Sequence, residues 1–64
     1  MKYPEIEVQL SGEDGNAFAV LGKVRRALRK GGVSVEEVDE FLKEATSGDY
    51  GNLFRVCMEW VDVC

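Results

Sequence analysis

The segment 15–32, GNAFAVLGKVRRALRKGG, constrains the fold more than any other part of the chain. Ala17, Val20, Leu21, Val24, Ala27 and Leu28 recur at three- and four-residue spacing, which predicts a helix with one apolar stripe. Lys23, Arg25, Arg26, Arg29 and Lys30 take the opposite face and the last turn, where cations oppose the negative end of the helix dipole. Gly31 and Gly32 stop the helix. A single apolar stripe has to be covered, so the flanking segments are expected to fold onto it. Phe18 falls off the stripe toward the basic side, and Gly22 lies one turn beyond it. Glycine inside a helix costs up to ~1 kcal/mol against alanine. Gly22 is therefore expected to admit a close backbone approach, most simply by another element of the same fold.

Ahead of this helix, residues 4–10 read PEIEVQL, with Ile6, Val8 and Leu10 alternating with Glu5, Glu7 and Gln9. Period-two alternation predicts a strand with one buried face, and Pro4 is tolerated at its start. The only other stretch able to pair with it is the end of the chain, Trp60 to Cys64, where Val61 and Val63 flank Asp62. The other candidate is the same strand of a second molecule. Between strand and helix, SGEDGN (11–16) is rich in turn formers. Asp14 or Asn16 can cap the helix, and Glu13 and Asp14 suit its positive end. The acidic turn lacks the alternate-position oxygens and distal glutamate of a calcium loop.

A second helix is announced by Ser34 and Glu37, which form an S-x-x-E capping box, and by Val33 and Val38 at the positions of a hydrophobic staple. Val35, Val38, Phe41, Leu42 and Ala45 make its inner stripe, and Gly48 suits a left-handed cap after it. Asp49 caps a third helix, weakened at its start by Gly51 and Asn52. Its apolar set is Tyr50, Leu53, Phe54, Cys57, Trp60 and Val61, which Val56, Met58 and Val63 widen beyond what one neighbour can cover. Either this helix is wedged among several elements or part of its face is an association surface.

These readings give a small single α+β domain: a strand over about 4–10, then helices over about 15–30, 34–46 and 49–61, with a short C-terminal strand available to pair with the first. A chain of 64 residues removes only about 60% of its unfolded surface from water, so it is expected to be marginally stable and helped by association. Cys57 and Cys64, seven positions apart, would lie about 10 Å apart along a helix, too far for a disulfide, and read as small buried hydrophobes of a reducing compartment. With no leader and no apolar run of about 20 residues, the expected location is cytoplasmic and no membrane partner is expected.

The strings EDGNAF and EATSGDY, with the basic helix after one and an apolar segment ending in tryptophan after the other, resemble a group of short uncharacterised proteins of bacteria and their phages. The resemblance implies a bacterial or phage source and brings no activity or site residues. The order strand, helix, turn, helix also echoes the dimeric ribbon-helix-helix repressors, whose outward strand residues read bases. Here those residues are Glu5, Glu7 and Gln9, and carboxylates repel phosphate, so the echo favours strand-mediated dimerisation over DNA recognition.

Chemistry has few footholds. There is no histidine, the commonest general base and catalytic zinc ligand. Ser11, Ser34 and Ser47 stand at turns and caps, Glu36, Glu37, Asp39 and Glu40 circle the outside of a helix, and the glycines fit no phosphate loop. No catalytic residue, metal ligand or cofactor is expected. The expected function is a non-enzymatic binding module that self-associates or meets a protein partner through the apolar surplus of the third helix (Val56, Met58, Val63) or the basic face of the first (Lys23, Arg25, Arg26, Arg29, Lys30). The alternative is an accessory nucleic-acid contact through that basic face, opposed by a net charge of −4. The bland account of the basic face is a solvated surface partly neutralised by the glutamates of helix two.

Overall fold

A computed structural model of the chain describes residues 1–10 and 16–64. The expected turn at 11–16, apart from Asn16, lies outside the described residues, as do the alternative cap Asp14, the acids Glu13 and Asp14, the helix start at Gly15 and the calcium-loop reading. Strand β1 covers Tyr3–Val8, helix α1 Ala17–Lys30, helix α2 Val35–Ala45, helix α3 Tyr50–Trp60 and strand β2 Val61–Val63. The fold is the expected α+β arrangement, with a sheet of two strands in the order β1-β2.

The strands run parallel, Tyr3 opposite Val61, Glu7 opposite Asp62 and Val8 opposite Val63. Parallel neighbours need a long crossover, and here all three helices supply it. The register is irregular between Tyr3 and Glu7, the stretch that holds Pro4, which has no amide to donate to a ladder. Beyond the paired residues, the Lys2 amide donates to the Glu59 carbonyl at 2.8 Å, the Cys64 amide to Val8 at 2.9 Å and the Leu10 amide to Cys64 at 3.3 Å. Ile6, Val8 and Leu10 are buried and Glu5, Glu7 and Gln9 exposed, as the alternation requires.

Asn16 caps α1, its side chain accepting from the Ala19 amide at 3.1 Å. At the other end the Val33 amide reaches the Leu28 carbonyl and the Gly32 amide reaches Arg29, while Gly32 takes φ +89°. This six-to-one and five-to-two pairing with a left-handed glycine is the Schellman stop. Gly31 matters for space rather than for backbone angle. A Cβ there would lie 2.6 Å from Ile6 Cδ1, so β1 packs directly on the end of α1.

Ser34 caps α2, accepting from the Glu37 amide at 3.3 Å, and Val33 and Val38 are both buried. The reciprocal half of the capping box is not used, because the Glu37 carboxylate accepts the Tyr3 hydroxyl instead and so ties β1 to α2. Val35, expected on the inner stripe, is 53% exposed, since the first residue of α2 precedes the turn that meets α1. Gly48 is not left-handed, for Gly32 is the glycine with positive φ among the described residues. The hydroxyls of Thr46 and Ser47 close α2 in its place, donating to the Leu42 and Glu44 carbonyls at 2.7 Å each.

Asp49 caps α3 as expected, accepting from the Asn52 amide at 2.9 Å. Asn52 strengthens the start it was expected to weaken, since its side-chain amide donates to the Glu44 carbonyl at 3.0 Å and joins the end of α2 to the first turn of α3. Trp60 closes the core between Phe41, 5.6 Å away edge to face, and Tyr3 at 6.1 Å. Lys2 Nζ stands 4.0 Å from the Trp60 ring centroid. Val20, Val24, Leu28, Val38, Phe41, Val56, Cys57 and Val61 complete the buried interior.

Candidate interaction surface

The apolar stripe of α1 behaves as its spacing requires, with Val20, Val24 and Leu28 fully buried. At 100° per residue, Gly22 lies opposite both Val20 and Val24. It therefore sits in the middle of the outward face, with Phe18, Arg25, Arg26 and Arg29 around it. Phe18 is 87% exposed. A Cβ at Gly22 would meet nothing nearer than Arg26 Nη2 at 4.0 Å. The expected close approach by another element of the fold does not occur at this glycine. It occurs at Gly31, because β1 reaches the end of α1 rather than its middle.

The five cations divide by what they hold. Lys23 Nζ donates to the Gln9 carbonyl at 2.9 Å, anchoring the chain that leaves β1. Arg29 Nη1 donates to the Val33 carbonyl at 3.1 Å, bracing the turn after α1. Arg25, Arg26 and Lys30 are exposed. Expected neutralisation by the glutamates of α2 is not seen among the described residues, where the ion pair is Arg55–Glu59 within α3, at 2.8 Å. The two helices meet through their inner stripes, which turns their charged faces away from each other.

The apolar surplus of α3 is mostly spent inside. Val56 is 1% exposed and belongs to the core, so it cannot contribute to an external patch. Val63 is half-buried against the interior as part of β2. Met58 alone of the three stands out, 53% exposed. The wedged arrangement explains this, since α3 packs on α2, α1 and β2 together and needs a wide apolar face.

Phe18 also borders a shallow apolar groove of about 280 Å3, lined with Ala17, Leu21, Ala45, Tyr50 and Leu53. Beside it the Tyr50 and Phe54 rings meet edge to face at 5.1 Å. The carboxylate at its rim, Asp49, is engaged in capping α3. Such a groove can seat an apolar side chain.

Cys57 is buried, and desolvation pushes its thiol up to about 11. Cys64, expected inside, is exposed because β2 ends just before it. Its Sγ lies 3.9 Å from Glu7 Oε1. Partial desolvation, then the charges of Glu7 and Asp62, hold that thiol above its ordinary value. Among the described residues no three of Cys, Asp and Glu gather into a group that could hold a metal ion, and no helix is long and apolar enough to cross a membrane.

The cluster of Lys2, Tyr3, Glu37 and Trp60 had no sequence signal. Its members lie up to 58 positions apart and meet only because β1 and β2 are neighbours. The chain matches no protein-family model, no curated protein and no solved structure.

Proposed function

We propose that this chain is a non-enzymatic, self-associating binding module that presents the outward face of α1 to an acidic protein surface. The observation that carries the reading is the combination at Gly22. Helix-weakening Gly22, with no neighbour nearer than the flexible Arg26 side chain at 4.0 Å, stands at the centre of a face that has exposed Phe18 on one side and, on the other, the exposed guanidinium groups of Arg25 and Arg26, unpaired among the described residues. Glycine there brings the protomer no packing gain, whereas it lets a partner's backbone or side chain come close. Exposed aromatic and arginine side chains are the types that most often anchor protein interfaces. The location that suits such a module is the cytoplasm.

A second reading, an accessory nucleic-acid contact, draws on the same pairing of an aromatic ring with free guanidinium groups, which can stack a base and hold phosphate. The net charge of −4 and the carboxylates along β1 oppose it. Replacing Phe18 with a photo-crosslinking phenylalanine analogue separates the two. Protein adducts that disappear in the Arg25→Glu/Arg26→Glu background, with none from the same probe at position 58, are the expected result. Adducts to nucleic acid would favour the second reading, and no adduct from position 18 would remove the first.

A further inference from the structure

We infer that the surface received by the α1 face is the acidic outer face of α2 in a second copy of this chain. The inference rests on the binding role proposed for α1 and names its partner. Helix α2 carries Glu36, Asp39 and Glu40 exposed, with Lys43 one turn further on. None of these acids is paired with a cation among the described residues. The cations of α1 gather toward its C-terminal end and the acids of α2 toward its N-terminal end. Laid antiparallel, the two helices bring these ends together, and their dipoles oppose favourably.

One register pairs three guanidinium groups of α1 with three carboxylates of α2. With Arg29 against Glu36, Arg26 falls against Asp39 and Arg25 against Glu40. Gly22 then faces Lys43, whose stem crosses the gap that the missing side chain leaves and carries its ammonium toward Phe18, an aromatic face that attracts a cation. A parallel arrangement with Phe18 beside Val35 sets Arg26 against Lys43, like charge on like. At physiological ionic strength the screening length is about 8 Å, so these local pairs outweigh the net negative charge of each copy. Pairing through the sheet is the less suitable route to self-association. The open edge of β1 carries Pro4, Glu5 and Glu7, and proline and charge on an edge discourage strand addition.

The test is sedimentation equilibrium of the full chain over a wide concentration range, at 50 mM and at 500 mM salt. Because the two charged faces of a protomer point apart, the contact is head-to-tail, and the expected result is reversible self-association whose dissociation constant rises at least tenfold at high salt and at least tenfold in Arg26→Glu. The charge-swapped Arg26→Glu/Asp39→Arg chain is expected to recover the association. Both positions are exposed, and far-ultraviolet circular dichroism identifies any variant that fails to fold. A monomer at all concentrations, an association indifferent to salt and to Arg26→Glu, or no recovery in the swapped chain overturns the inference. A monomer whose probe at position 18 still captures protein, with dependence on Arg25 and Arg26, overturns the self-pairing while leaving the binding role of α1 intact.

Discussion

Cys57 and Cys64 show how far a residue's chemistry follows from its place in a pattern. Cys57 lies on the inner stripe of α3 with Leu53 and Trp60, and its burial is readable from that spacing. Cys64 follows the last residue of β2, and its exposure depends on where the helix gives way to strand, which spacing does not reveal. Native protein treated with a thiol reagent is therefore expected to label at Cys64, slowly beside carboxylates, and at Cys57 only on unfolding; peptide mapping reads both. Alkaline stability follows from the same burial. Cys57 is raised from 9.0 to about 11 by desolvation, and Tyr3 is raised from 10.0 first by its hydrogen bond to Glu37. Each fold-favoured neutral form contributes in full below the unfolded value and loses that contribution as pH climbs through the folded one. The urea midpoint is expected to hold steady up to about pH 9 and to decline between there and about 11. Cys57→Ala with Tyr3→Phe should flatten that decline, and an unchanged slope in the double variant would show that other groups cause it.

At the scale of elements, the helices were legible where the signal is local. The stripe of α1, the caps Asn16, Ser34 and Asp49, and the alternation of β1 all depend on neighbours within four residues. What escaped depends on distant partners. Glu37 has two acceptor choices, and only the position of Tyr3 decides against the capping box. Asn52 looks like a poor helix residue until the Glu44 carbonyl is beside it. The two glycines at the middle and end of α1 make the contrast testable. Gly22→Ala adds a methyl whose nearest neighbour is the flexible Arg26 side chain at 4.0 Å and should stabilise the protomer by up to ~1 kcal/mol, about 4–8 °C in melting temperature for a domain of this size. Gly31→Ala drives a methyl into buried Ile6 and sets it 3.3 Å from the Ala27 carbonyl, which leaves little room to yield. Overpacking of that kind costs roughly 1–3 kcal/mol. Thermal melts at low protein concentration should move in opposite directions, and two shifts of the same sign would contradict the placement of β1 on the end of α1.

For the whole molecule, the parallel pairing of β1 and β2 makes the chain's two ends interdependent, with three helices enclosed between them. Pairing of the ends was readable as a need for a partner strand, but its direction was not, because alternation is blind to polarity. Trp60 stands where the consequence is greatest: it ends α3, precedes β2, and touches both Phe41 of α2 and Tyr3 near the other end of the chain. A domain of 64 residues has roughly 3–10 kcal/mol of stability in total. Removing a fully buried tryptophan to alanine costs about 3–5 kcal/mol, comparable with the whole of it. Trp60→Ala is therefore expected to leave the chain largely unfolded at room temperature, whereas Met58→Ala, close by in sequence and exposed, should change stability by less than about 0.5 kcal/mol. Far-ultraviolet circular dichroism through a urea titration measures both. A Trp60→Ala chain that still unfolds cooperatively near the parent midpoint would mean that the ring does not join the helical layer to the sheet.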